Sequence, residues 1–299
     1  MAQKDVKSRI GSVKNIQKIT RAMEMVAAAR LRRAEQRIEA LRPYASAIRR
    51  MTRQAAEAAQ NVPNLPILNE HESVSTVGML LVTGDRGLAG AFNSQIVRAG
   101  VRAAADHENE GRSLAWYASG RRGVSSLTFR GLDVIEAYTG FTDRPSYGDA
   151  RDIAADLMAG YVDGKVDQVE IIYNHYISPL TQRVTRETLL PLQQATILED
   201  EDTEEDEGDE HGHRALVEYE PDPEDILQRL IPAYVEISLF RALLESTASE
   251  HGARMTAMRN ASTNAGDIIK DLTLQMNRER QAEITQEILE VVSGAEGLS

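Results

Sequence analysis

Cysteine is absent from the 299 residues, which excludes a disulfide framework, a thiol nucleophile and a cysteine-ligated metal. Aromatic residues are few, with one Trp, four Phe and nine Tyr, a composition that suits long helices better than a β-sandwich. No apolar run approaches the ~20 residues of a membrane-spanning helix. Charges recur every few residues through Arg53, so we expect neither a signal segment nor direct membrane insertion. There is no G-x-S-x-G, and no Ser/His/Asp grouping can be assembled. His71, His107, His175 and His251 have no partners at ligand spacing, and His211 and His213 sit in a solvated acidic tract. That tract lacks the glycine a calcium-binding loop needs at its sixth position. We therefore expect no catalytic residue, no metal and no cofactor.

Proline and glycine are scarce at the two ends. From Lys4 to Ala59 the exceptions are Gly11 and Pro43, so residues 1–60 read as one helix. Leu31, Ala34, Ile38, Leu41, Ala45 and Ile48 step by three and four along it. Val6, Ile10, Val13, Ile16, Met23 and Ala27 form a looser stripe before them. Residues 223–293 read as a second, longer helix, with Asp222 at the N-cap, Pro223 in the first turn and Gly294 at the C-terminal stop. Its seam runs Leu227, Leu230, Tyr234, Ile237, Arg241, Leu244, Ala248, His251, Met255, Met258, Ser262, Ala265, Ile269, Leu272 and Met276. A seven-residue repeat of this length is a coiled-coil pattern. At 1.5 Å per residue, seventy residues make roughly 105 Å. Pro232 predicts a kink, or the end of a first short helix. The simplest arrangement is an intramolecular antiparallel pair with everything else inserted between; a self-associating helix dimer is the alternative.

Between the helices the period changes. Residues 75–195 alternate short apolar runs with helical stretches: strands at Val77–Thr83, Ser113–Ala118, Val134–Tyr138, Val166–Tyr173 and Gln182–Leu190, helices at 94–106, 120–129 and 147–161. This predicts an α/β domain with a mostly parallel sheet and one antiparallel pair at an edge. Asn93 is expected to cap the first of these helices. Thr83-Gly-Asp-Arg-Gly-Leu-Ala-Gly90 joins a strand to a helix, where such domains bind phosphates. Gly84, Gly87 and Gly90 fit neither the dinucleotide fingerprint nor the P-loop, so the turn is either a nucleotide site or a tight structural corner. A stand-alone α/β nucleotide-binding protein is accordingly the second functional reading.

The net charge of −12 conceals an asymmetry. Residues 1–53 carry fourteen Lys or Arg against four Asp or Glu, whereas ten of the twelve residues of Glu199–Glu210 are acidic. The basic helix suits an acidic protein surface. It lacks the interleaved aromatics of a nucleic-acid binder, and we expect no nucleic-acid partner. Residues 196–222 read as an acidic surface loop and connection.

Five stretches together resemble the γ subunit of bacterial F-type ATP synthases: Ile16–Arg30, Asp85-Arg-Gly-Leu-Ala-Gly90, Glu220-Pro-Asp-Pro223, Ala253-Arg-Met-Thr-Ala-Met258 and Ile284-Thr-Gln-Glu-Ile-Leu-Glu-Val-Val-Ser-Gly-Ala295. They occur in order, from end to end. The resemblance implies a long antiparallel coiled coil of N- and C-terminal helices with an inserted Rossmann-like α/β domain. It also implies a central rotor shaft, itself non-catalytic, that couples proton-driven c-ring rotation to ATP synthesis in the αβ head, and reverse hydrolysis. Expected partners are the α and β subunits, the ε subunit and the c-ring, at the cytoplasmic face of the cell membrane. Met23, Arg254, Gln281 and Thr285 match β-subunit contacts of the family, and Val217, Tyr219 and Glu220 match the region that meets the c-ring and ε. Ala89 departs from the cysteine common in relatives. Glu199–His213 extends an acidic loop that is either passive or a modulator of coupling.

Overall fold

In the computed structural model of this chain, residues 3–58, 66–192 and 223–296 are described. The chain divides into two units, one joining Met1–Ala29 to Arg254–Ser299, the other Arg30–Ala253. Helix α1 spans Gln3–Ala58, and the last helix, α5, spans Pro223–Glu296. Neither Pro43 nor Pro232 ends its helix. Of the two outcomes expected at Pro232, the end of a first short helix is absent: Leu227, Ile231 and Val235, on both sides of it, are buried in one core, and tertiary packing outweighs the loss of a single backbone bond. Gly294 does not end α5 either. Glycine is permissive rather than prohibitive in a helix, and helix ends fray.

The sheet belongs to the second unit. Strands β1 (Thr76–Val82), β2 (Ser113–Ser119), β3 (Val134–Tyr138), β4 (Gln168–Tyr176) and β5 (Gln182–Leu190) lie in the order β3-β2-β1-β4-β5. The first four are parallel, and β5 returns antiparallel to β4 through a turn at Ser178–Thr181. The register of β1 is Thr76 opposite Ser113 and Val77 opposite Gln168, so the central strands start level. Such topology buries both faces of the central strands, which is why β1 reads as an unbroken apolar run.

Helices cover both faces. Helices α2 (Phe92–Asn109) and α3 (Arg121–Phe129) lie over Met79, Leu81, Trp116 and Ile172. Helix α4 (Tyr147–Val162) and the early part of α5 lie over Leu80, Val82, Tyr117, Ile171 and Tyr173. The capping box at Ser146 and Asp149 starts α4. Leu227, Ile231, Val235, Leu239 and Leu243 of α5 face this core; each such side chain stabilises the fold by about 1.5–3 kcal/mol. This stripe differs from the coiled-coil seam expected there. From Ala242 to Gly252 every α5 residue is buried, so this stretch is a core helix and not one strand of a two-helix rod.

The seam expected from Met258 onward is present. Met258 and Ala265 are buried, and Ser262, Ile269, Leu272 and Met276 are half-buried. On α1 the first unit buries Val6, Ile10, Thr20 and Ala27, with Val13, Gln17 and Glu24 half-buried between them. The stripe thus keeps a strict heptad through polar positions. Ile16, expected on it, is 53% exposed.

Candidate functional site

Two places could carry function: the helix pair of the first unit and the glycine turn of the second. In the pair, Gln17 Nε2 donates to the Ser262 carbonyl at 3.2 Å, and Arg259 Nε donates to Glu24 Oε1 at 2.9 Å. Higher numbers on α1 meet lower numbers on α5, so the pairing is antiparallel. Gly266 keeps the helices close, since a Cβ there would come within 3.1 Å of Gln17 Nε2. The seam is lean, built of Ala, Thr, Ser and Met as much as of Leu or Ile. By this register the start of α1 faces about residue 280, and among the described residues α5 beyond Gln281 has no opposing helix. Side chains from Gln281 to Val291 are all exposed. Ile284, Ile288 and Leu289 form an apolar stripe on that end, and Ile16, Ile19, Met25 and Val26 expose apolar surface on α1.

Met23 is half-buried, Arg254 is buried, and Gln281 and Thr285 are exposed. Gln281 and Thr285 stand one turn apart, with Thr285 Oγ1 donating to the Gln281 carbonyl at 2.9 Å. They lie roughly 40 Å along the helix from Arg254 by the helical rise, so the four positions form no single cluster. Val217, Tyr219 and Glu220, like Glu199–His213, lie outside the described residues.

The glycine turn is filled by the protein itself. The Asp85 carboxylate accepts from the amides of Arg121 (3.1 Å), Gly140 (2.9 Å) and Thr142 (3.3 Å), and from Thr142 Oγ1 (3.0 Å). Arg121 opens α3, so an acidic side chain sits where a phosphate would lie at that helix start. The next two amides of α3 are also taken, Arg122 N by the Gly84 carbonyl at 3.2 Å and Gly123 N by Thr83 Oγ1 at 2.8 Å. Asn93 is not the cap of α2. Its Oδ1 accepts from Gly84 N at 2.8 Å, and the helix begins at Phe92, after Ala91, two residues earlier than expected. Ala89 is buried in the apolar cluster that joins α2 and β1.

Helix α5 closes the same crevice. Ser246 Oγ donates to the Val82 carbonyl (3.3 Å), Thr247 Oγ1 to Thr142 O (3.0 Å), and Ser249 Oγ to Asn174 O (3.1 Å). The Glu250 carboxylate, 1% exposed, presses on Gly84, where a Cβ would stand 2.6 Å from it. The space left between Thr83, Ser119, Thr142, Ser246 and Glu250 is about 10 Å³, enough for one water molecule at most. A nucleotide does not fit there, and this geometry speaks against nucleotide binding at the Gly84–Gly90 turn. Asp85 is visible in the sequence as a residue type, but its partners lie 36 to 57 positions away, whereas those of Asn93 lie seven and nine positions away.

Buried charges elsewhere are matched. Glu170 takes both Nε (2.7 Å) and Nη2 (2.9 Å) of Arg186, and His107 Nε2 lies 3.2 Å from Glu170 Oε1. Arg112 Nη1 faces His107 Nδ1 at 3.1 Å. Arg186 Nη2 faces the other ring nitrogen, His107 Nε2, at 2.8 Å. His175 Nδ1 meets Glu245 Oε2 at 2.6 Å, and this hydrogen bond raises the imidazole pKa against the opposing effect of burial. These groups tie α2, β4, β5 and α5 together. Among the described residues no His, Asp and Glu grouping could hold a metal ion, and no helix is long and apolar enough to cross a membrane.

A family model described as ATP synthase matches residues 2–298. The ATP synthase gamma chain of Rubrobacter xylanophilus is 43% identical over 301 residues, covering 99% of this chain and 98% of that one. The gamma chain of Streptomyces avermitilis is 41% identical over 297 residues, covering 98% and 95%. Among solved structures, a chain of the central stalk and c-ring of Tetrahymena thermophila mitochondrial ATP synthase superposes with a TM-score of 0.60 at 28% identity, over 82% of this chain and 99% of that one. A chain of the Euglena gracilis mitochondrial ATP synthase shares the fold, with a TM-score of 0.65 at 16% identity over 99% and 94%.

Proposed function

This chain belongs to the ATP synthase gamma chain family, and from that premise we infer that it works as the central rotor shaft of an F-type ATP synthase. The observation that carries the reading is the exposed end of α5. Among the described residues no helix opposes α5 from Gln281 onward, yet Ile284, Ile288 and Leu289 present an apolar stripe to solvent. A surface of that kind is stable in water chiefly when a partner covers it. A sleeve formed by the α and β subunits would do so. The exposed Lys4, Lys7, Arg9, Lys14, Lys18 and Arg21 on α1 suit acidic β-subunit surfaces.

In this reading the chain is a non-catalytic subunit. The filled crevice supports this, since it leaves no room for nucleotide at the glycine turn. Torque from the c-ring enters through the region of Val217, Tyr219 and Glu220, which also docks ε. The helix pair turns within the head and drives each β subunit in turn through binding, synthesis and release of ATP. Met23, Arg254, Gln281 and Thr285 are the proposed β contacts. Exposed ion pairs are individually weak, so torque passes through the packed shaft as a whole. The complex would hold the chain peripherally at the cytoplasmic face of the cell membrane.

The test is reconstitution with the chain's own α and β subunits, with a bead fixed to the α/β domain. A stoichiometric complex that turns the bead on ATP is expected. Failure to assemble with α and β that accept another gamma chain would overturn the reading. In the working complex, Gln281→Ala with Thr285→Val should lower ATP synthesis roughly fivefold, the rate equivalent of one lost hydrogen bond of about 1 kcal/mol. An unchanged rate would remove these two residues from the contact.

A further inference from the structure

The crevice at the carboxyl ends of β1 and β4 is where an open α/β sheet ordinarily takes a ligand, because the strand order reverses there. Here it receives a helix. Three hydroxyls of α5 reach the ends of three separate strands or their following loops: Ser246 to Val82, Thr247 to Thr142 and Ser249 to Asn174. One turn earlier, Glu245 bonds His175 on β4 at 2.6 Å. Gly252 passes so close to the turn after β4 that a Cβ would lie 3.0 Å from the Pro179 carbonyl. The attachments point outward from the helix in several directions, and the residues between them are buried on every side.

A helix held along one stripe can roll about its axis on a smooth apolar face at little energetic penalty. One bonded on several sides cannot, because any roll breaks directional hydrogen bonds on opposite sides together. Most small hydroxyl residues in a helix bond back to their own chain. Ser246 and Ser249 instead bond only the sheet, and Thr247 divides its hydroxyl between Thr142 O and Leu243 O, 2.8 Å away. Tight axial packing alone would favour Ala and Leu at these places.

We propose that residues 241–252 of α5 form a torsional seat: the ligand crevice of the α/β domain has become a socket that locks the helix against rotation about its own axis, with Ser246, Thr247 and Ser249 as its positioning residues. The proposal rests on the rotor reading, since it assigns the place where torque collected by the α/β domain enters α5.

The assembled αβ complex with a bead on the α/β domain tests it. With the head held in a nucleotide-waiting pause, the angular variance of the bead reports torsional stiffness. The triple variant Ser246→Ala, Thr247→Val, Ser249→Ala is expected to widen that variance at least roughly twofold, since each replacement deletes a buried directional bond while keeping the volume close. Unloaded ATP hydrolysis should stay at the parental rate. Thr247→Ser, which keeps the hydroxyl, should match the parent. If the triple variant does not assemble, Thr247→Val and Ser249→Ala singly carry the same comparison. A variance unchanged from the parent in an assembled variant overturns the seat and leaves the rotor reading standing. A parental complex that assembles and never turns the bead overturns the rotor reading and the seat together.

Discussion

At Asp85 one carboxylate holds three stretches of chain together: the turn after β1, the start of α3 and the loop after β3. With the side chain removed, three amides and a hydroxyl lose their acceptor in a site that is mostly dry. Asp85→Ala should lower the unfolding free energy by about 2–4 kcal/mol, and Asp85→Asn, which keeps one acceptor oxygen, by about half as much. Thermal unfolding of the full chain reads this directly, and an Ala variant that melts with the parent would refute the anchoring. The motif around Asp85 is legible in sequence, but its meaning is not. Glycines before a helix announce free amides equally well for a phosphate and for an internal acid. Only the approach of Arg121, Gly140 and Thr142 decides between them.

Strands β1 and β4 are joined at their starts by a comparable device. Asp167, just before β4, accepts from Ser75 Oγ (2.6 Å), from Ser75 N and Thr76 N (2.8 Å each), and lies 2.8 Å from His71 Nδ1. Burial pushes its pKa upward, but the Ser75 hydroxyl, His71 and the two amides outweigh that and hold it well below the usual carboxylate range. A carboxyl depressed in the folded state stabilises the protein above its unfolded pKa, and that contribution is lost as pH falls toward the folded value. Asp167→Asn should therefore reduce stability at pH 7 by about 2 kcal/mol. The gap between parent and variant should narrow below about pH 4. Denaturant titrations at both pH values check it, and a gap independent of pH would show that the charge is not what matters. Strand positions were readable from runs of Val, Leu and Ile. The lock at their ends was not, because it joins residues some ninety positions apart.

The two units of the whole molecule differ in how much they bury. Residues 30–253 hold two apolar clusters on the two faces of a sheet. The helix pair has a lean seam, and its last stretch has no opposing helix among the described residues. Local stability follows buried apolar contact. Hydrogen exchange on the free chain should show amides beyond Gln281 exchanging first, the rest of the pair next, and β1, β2 and β4 last. In complex with α and β the largest gain in protection should appear at 281–296. Equal protection there in the free and assembled chain would argue against a covering sleeve.

The sequence by itself determined the elements whose signal is local and periodic. The heptads of α1 and of α5 beyond Met258, the alternation of strands and helices, and the motifs that resemble the gamma family are all of this kind, because period and chain order are properties of neighbours. Tertiary structure alone decided what fills the crevice. The run Ala242–Gly252 keeps a plausible heptad, yet it is buried all round, since Ser246, Thr247 and Ser249 find their acceptors on strands encoded far earlier. Ile16 likewise lost its expected place to Gln17 and Thr20, whose side chains suit a close, slim helix pair. Where the partner of a polar group lies far away along the chain, its role is fixed only when folding brings the two together.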